Sequence, residues 1–233
     1  MYDTSVRIRY SEADSDGKLS MRGLLRLFQD CGYFHAADRG LGEEYTKKTG
    51  CTWYLLSWYI HADKMPRICD RVTLSTGIYY TAGSISKKSL FMYSESGELL
   101  AAGDTLWVYM DVAKQQPAET PPGLWNKCDA AERAPLPAVS RRISIPAYTE
   151  SLSPRTVDKE LTDTNGHANN VKLTELAMSY AKNSGECRTL RAEFRSQAPA
   201  DSDLYPKVCF EAGKNTVVFA NGGGDVLSVY EFE

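Results

Sequence analysis

The sequence predicts an α+β fold in which one unit is built twice, and three observations carry that prediction. The polar stretch Asp163-Thr164-Asn165-Gly166-His167-Ala168-Asn169-Asn170 has a twin near the N-terminus, Asp14-Ser15-Asp16-Gly17-Lys18-Leu19-Ser20-Met21. Asp14 aligns with Asp163, Asp16 with Asn165, Gly17 with Gly166 and Lys18 with His167. Each stretch runs directly into apolar residues at helical spacing. Each helix pattern is then followed by consecutive strand patterns with no helix between them, which argues for antiparallel sheet and against a doubly wound parallel one. Late segments match as well: Gly103-Asp104-Thr105-Leu106-Trp107-Val108-Tyr109 resembles Gly224-Asp225-Val226-Leu227-Ser228-Val229-Tyr230.

In chain order, residues 6–10 alternate and read as a strand. After the Asp14–Gly17 turn, Met21, Leu24, Leu25, Phe28, Cys31, Gly32 and His35 form one face of an amphipathic helix, with Ser20 as its N-cap. Gly40 and Gly42 end it, and a short helix is predicted over 43–49. Strands follow over 53–62, 71–80, 86–94 and 99–111, with a hairpin turn at Glu95-Ser96-Gly97-Glu98. Residues 113–147 carry Pro117, Pro121, Pro122, Pro135, Pro137 and Pro146, most of the chain's ten prolines. Proline cannot donate to a ladder, so this stretch reads as a linker. The second half repeats the plan: a strand over 155–161, the polar loop, a helix marked by Leu173, Leu176, Ala177 and Tyr180, then strands over 190–197, 205–212, 216–220 and 226–232. A long helix wrapped by an antiparallel sheet is the hotdog arrangement. The expectation is therefore a tandem (double) hotdog, with two antiparallel sheets each wrapped around a long helix. Its parts are an N-terminal copy over 1–112, a linker over 113–147 and a C-terminal copy over 148–233.

Composition narrows the function. At 233 residues with 42% hydrophobic content the chain has ample core material. Its net charge of -3 argues against a general nucleic-acid binder. No run of 18 or more apolar residues exists, so no membrane-spanning helix is expected. The start Met1-Tyr2-Asp3-Thr4 does not read as a secretory signal. The six cysteines are scattered with no CxxC pair, which points to buried thiols in a reducing cytoplasm and away from a zinc site.

These residues resemble the fatty acyl-ACP thioesterase family of bacteria and plant plastids. The family motif Asp-x-Asn-x-His-x-Asn-Asn is complete here as Asp163, Asn165, His167, Asn169 and Asn170, and the likeness extends to Glu12-Ala13-Asp14, residues 24–29 and residues 106–110. The resemblance implies a double hotdog that hydrolyses acyl thioesters in fatty acid biosynthesis, with no cofactor. The implied partner is acyl carrier protein presenting the acyl chain on a phosphopantetheine arm, and a homodimer is compatible with it. One departure matters. Plant members carry a Glu-Cys pair on a strand of the second half, where this chain has Gln197 and Ala198. A cysteine nucleophile cannot be carried over. Gln197 cannot act as a base at neutral pH, but its amide can position water or substrate.

The chemistry assigns roles residue by residue. His167 is the natural general base, since imidazole titrates near neutral pH. Asn165 can donate its amide to the thioester carbonyl, aided by the N-terminus of the helix that follows. Asp163 either orients His167 or a water, or attacks the thioester itself. It is shared with the twin, so it also serves the turn. Asn169 and Asn170 read as helix caps. Lys18 replaces the base in the first copy, which is therefore read as non-catalytic, and Met21, Leu24, Leu25, Phe28 and Trp58 are candidate acyl-pocket walls. His35 reads as a satisfied core residue. A basic patch for an acidic carrier would draw on Lys172, Arg188, Arg191 and Arg195, with Arg141-Arg142 as a second cluster. The rival readings are an acyl-CoA thioesterase on the same fold and a non-catalytic acyl-binding protein.

Overall fold

The computed structural model describes every residue except Tyr148, Thr164, Asn165 and Asn183, together with the side chain of Ser184. Its strands form a large antiparallel sheet of 12 strands with few helices, where the sequence predicts two separate sheets. By contacts the chain divides into two compact units, Met1–Leu56 with Ile60–Pro137, and Ser57–Tyr59 with Ala138–Glu233.

The first unit begins with β1 (Tyr2–Arg7) rather than at residue 6. Its register runs from Tyr2 opposite Thr76 to Arg7 opposite Arg71. Beyond Arg7 the Glu12 carboxylate accepts the Arg9 N–H at 2.8 Å, which turns the chain into a 3-10 helix, Tyr10–Glu12, instead of continuing the strand. Helix α1 (Met21–Asp38) starts where expected, with the Ser20 hydroxyl accepting the Gly23 N–H at 3.1 Å. It buries Met21, Leu24, Leu25, Leu27, Phe28, Cys31 and His35. Each such large apolar side chain contributes about 1.5–3 kcal/mol by leaving water. Helix α2 (Glu43–Thr49) follows, then β2 (Cys51–Ala62), β3 (Arg71–Ala82), β4 (Ile85–Ser94), β5 (Leu99–Asp111) and β6 (Gln116–Pro117). The strand path here is β1-β3-β4-β5-β2, with β6 on β5.

The proline-rich stretch does more than connect. Leu124 packs with Leu41 and Tyr109, and Ala134 packs with Phe91 and Ala102. Gly77 is required where it passes: a Cβ there would lie 2.8 Å from the Asp129 carbonyl oxygen. Asp129 in turn receives Arg39 at 2.8 Å and His35 Nε2 at 3.1 Å. His35 Nδ1 lies 3.4 Å from Lys88 Nζ, and its ring stacks on Tyr2 at 5.3 Å. Lys88 can only donate, so Nδ1 is the acceptor and Nε2 carries the proton toward Asp129 Oδ2. The Asp129 N–H, at 3.3 Å from the same Nε2, is then near it without bonding it.

The second unit holds β7 (Glu150–Ser151), β8 (Arg155–Thr156), α3 (Asn170–Tyr180), β9 (Thr189–Phe194), β10 (Asp203–Glu211), β11 (Lys214–Ala220) and β12 (Val226–Phe232). Its path is β9-β12-β11-β10-β7, with β8 also on β10. The strand predicted over 155–161 stops at Thr156. The Asp158 carboxylate accepts the N–H groups of Glu160 and Leu161 at 3.0 and 3.2 Å, an Asx turn that competes with the ladder. One sheet face carries an aromatic core in which Phe194, Phe219, Tyr230 and Phe232 meet at 5.4–6.4 Å, and Tyr180 at the end of α3 packs edge-on to Phe219. On the other face Ile143 packs on Val218 and Val229. Its N–H donates to the Glu193 carboxylate at 3.0 Å.

Candidate active site

The polar loop and its twin are folded by the same hydrogen bonds. Asp14 N–H donates to the Lys18 carbonyl at 2.8 Å, and Asp163 N–H to the His167 carbonyl at 2.8 Å. Gly17 and Gly166 N–H donate back to the carbonyls of Asp14 and Asp163 at 3.1 and 3.2 Å. The Asp14 carboxylate accepts from Lys18 N–H at 3.0 Å, and that of Asp163 from His167 N–H at 3.4 Å. Gly17 and Gly166 hold φ of 72° and 77°, the left-handed region that glycine enters without penalty. Each loop is also pinned from outside. Leu19 N–H donates to the Pro66 carbonyl at 2.7 Å, and Ala168 N–H to the Ala198 carbonyl at 2.9 Å.

On this shared frame the second copy presents His167 where the first presents Lys18. The His167 side chain is half-buried, and its Nδ1 is buried with no hydrogen-bond partner among the described residues. His167 bridges Pro199, and Gln197 directly precedes the Ala198 that pairs with the loop. The fold thus brings the Gln197 segment alongside His167. Asp163 spends part of its carboxylate on the loop's own backbone, as the twin predicts. Asn165 lies outside the described residues. Asn169 is the N-cap of α3: its side-chain oxygen accepts from Val171 and Lys172 N–H at 2.9 and 3.2 Å.

The candidate pocket residues separate. Met21, Leu24, Leu25 and Phe28 are buried on α1 in the first unit. Trp58 groups with the second unit, edge-on to Phe194 with ring centroids 6.2 Å apart. The candidate basic patch is largely engaged. Lys172 Nζ donates to the Thr162 carbonyl at 2.9 Å, clasping the base of the catalytic-candidate loop. Arg191 binds the Glu231 carboxylate and the Ser140 carbonyl at 2.8 and 2.7 Å. Arg195 binds Glu193 at 2.9 Å. The sequence reading missed the carboxylates because Glu193 and Glu231 sit in strands that read as continuous sheet. Burial alone would raise the Glu193 carboxyl, but Arg195, the Ile143 N–H and Arg142 together hold it below the usual range. The two most buried thiols are poor nucleophiles. Burial pushes Cys31 up to about 12 and Cys187 up to about 11. Among the described residues no group of three or more His, Cys, Asp or Glu is placed to hold a metal, and no helix is long and apolar enough to cross a membrane.

Comparison with known proteins decides the family. Residues 1–127 match the family model of the acyl-ACP thioesterase N-terminal domain. The chain belongs to the acyl-ACP thioesterase family. It is a thioester hydrolase. Among curated proteins no sequence match emerges. Solved structures match this acyl-ACP thioesterase fold over nearly the whole chain. An acyl-ACP thioesterase from Bacteroides thetaiotaomicron superposes with a TM-score of 0.87 at 18% identity, covering 99% of this chain and 96% of that one. The 12:0-ACP thioesterase from Umbellularia californica gives 0.84 at 17%, covering 100% and 96%. An oleoyl thioesterase (putative) from Lactobacillus plantarum gives 0.83 at 18%, covering 99% and 94%. At these identities the structures speak to the fold alone.

Proposed function

We propose that this chain is a tandem hotdog that hydrolyses fatty acyl thioesters of acyl carrier protein in fatty acid biosynthesis in the cytoplasm, yielding free acid and carrier thiol. In this reading residues 1–112 form a non-catalytic copy with Met21, Leu24, Leu25 and Phe28 as acyl-pocket walls, 113–147 connect, and 148–233 form the catalytic copy, with Trp58 as a further wall. The observation that carries it is His167. Among the described residues an imidazole nitrogen is buried without a partner, on a turn whose twin bears Lys18 in its place.

His167 takes a proton from water as the water oxygen attacks the thioester carbon. The C–S bond then breaks, and the thiolate leaves with the proton that His167 returns. Asn165 donates its amide to the developing oxyanion. The Val171 and Lys172 N–H groups already serve the Asn169 cap, which supports Asn165 as the main donor. Asp163 orients the loop that carries His167, and Gln197 positions water or substrate. A homodimer is compatible with this reading. The experiment is hydrolysis of one acyl chain presented on acyl carrier protein and on CoA. We expect a higher kcat/KM for the carrier protein. Equal or better turnover of CoA substrates contradicts the carrier assignment and supports an acyl-CoA thioesterase.

A further inference from the structure

The two copies fasten the polar loop to its helix in different ways. Ser20 and Asn169 are the N-caps of α1 and α3, and their N–H groups donate to the Glu12 and Leu161 carbonyls at 2.9 and 2.8 Å. The cap side chains accept from the N–H groups of Gly23 and Lys172 at 3.1 and 3.2 Å. Lys172 is therefore the counterpart of Gly23, and Thr162 that of Ala13. In the first copy this position has no room for a side chain. A Cβ on Gly23 would lie 2.5 Å from the Glu12 carbonyl oxygen. In the second copy it carries a half-buried lysine whose Nζ donates to the Thr162 carbonyl at 2.9 Å.

The lysine bond lands where the loop closes. Thr162 bridges Ala168, as Ala13 bridges Leu19 in the first copy. Thr162 is joined directly to Asp163 and Ala168 directly to His167. A shift of the Thr162 peptide is therefore passed to the imidazole from both ends of the turn. The twin folds the same turn with the same backbone bonds and no side chain at Gly23. Making the turn thus does not require the lysine. Ordering a long lysine side chain gives up about as much rotamer freedom as one charge-assisted bond returns, so the clasp adds little net stability. The copy that carries it is the copy that carries His167, and a general base works only when its nitrogen is held closely to its proton-transfer position.

We propose that Lys172 is a positioning residue for thioester hydrolysis. By fixing the Thr162 carbonyl it holds the His167 imidazole in place for the attacking water. This deepens the thioesterase reading and rests on it. It assigns Lys172 to the chemical step and not to the docking of an acidic carrier.

The test is steady-state kinetics of the full-length wild type, Lys172→Met and Lys172→Arg on decanoyl thioesters of acyl carrier protein and of pantetheine, with folding checked by circular dichroism. Lys172→Met should lower kcat about tenfold or more, by a similar factor on both substrates, and leave KM within about twofold. Lys172→Arg, which keeps a cationic donor, should retain most of the wild-type kcat. A loss confined to a raised KM for the carrier substrate overturns the proposal and makes Lys172 a docking residue. A kcat of folded Lys172→Met within about twofold of wild type overturns it as well. Lys172→Gln serves if Lys172→Met does not fold, and failure of both to fold overturns it by making the lysine structural. A cycle with His167→Ala checks the route. A residue acting through the imidazole should cost less than about twofold once the imidazole is gone, and an undiminished loss on that background overturns the proposal. Absence of thiol release from every thioester by the wild type contradicts the hydrolytic reading instead.

Discussion

Gly166 shows how much a single position reveals. Its φ of 77° is one that side chains rarely adopt, yet an added Cβ would meet nothing within 4 Å. The cost of Gly166→Ala is therefore backbone strain alone, about 1 kcal/mol. Chemical denaturation should register that loss with an unchanged m-value. The Asp, Gly and helix-cap positions were legible in the sequence because turn chemistry is local: the same residues recur at the same spacing in both copies. The role of Lys172 was not legible. Its charge suggested an exposed patch, whereas the ammonium reaches from the first turn of α3 back to the Thr162 carbonyl in the loop before it. Trp58 was read from the sequence as a candidate wall, and its grouping with the second unit depends on contacts far apart in sequence. The six cysteines give a further residue-scale prediction. Cys31 and Cys187 are buried with raised thiol pKa values, and Cys187 Sγ donates to the Thr189 carbonyl at 2.8 Å. Alkylation at neutral pH should modify the exposed Cys69 first and leave hydrolysis intact. Loss of turnover in a protein that stays folded would restore a cysteine mechanism.

At the scale of elements, helices were read better than strand ends. Both α1 and α2 begin where their sequence signals place them, since caps and apolar periodicity are properties of short segments. Asn169→Ala removes the acceptor for two N–H groups of α3 and should cost about 1 kcal/mol of stability. Thermal melts of the variant beside Asn169→Asp separate the cap from the amide, because aspartate also caps. The strand predicted over 155–161 failed because Asp158 supplies a competing local bond. The end of α1 makes a pH prediction. Burial, then the Lys88 charge, push His35 down to about 4, against the pull of Asp129. The unfolded chain, near 6.5, binds the proton first. Stability is thus full above about 6.5 and is lost as pH falls toward about 4. Arg39 holds the Asp129 carboxyl low, so its contribution fades only at still lower pH. His35→Phe should flatten the melting temperature between those limits; an unchanged slope would assign the acid sensitivity elsewhere.

At the scale of the whole molecule, duplication was the most informative feature of the sequence. It predicted repeated αβ units, and the two loops share hydrogen bonds down to their outside pins at Pro66 and Ala198. What the sequence left out was the work of the proline-rich stretch. Prolines mark where a ladder stops, but they do not say which surface the chain then covers. Leu124, Ala134 and Ile143 each pack into a core cluster within their own unit, and the Ile143 N–H is fastened to a buried Glu193. The duplication also isolates the central claim, because the twin turn keeps the acid and the glycine while lacking the imidazole. The most direct measurement is the rate of thiol release from acyl carrier protein thioesters by folded His167→Ala protein. A fall in kcat of at least about a hundredfold is predicted, as for loss of a general base. Turnover within a few-fold of wild type would contradict the account.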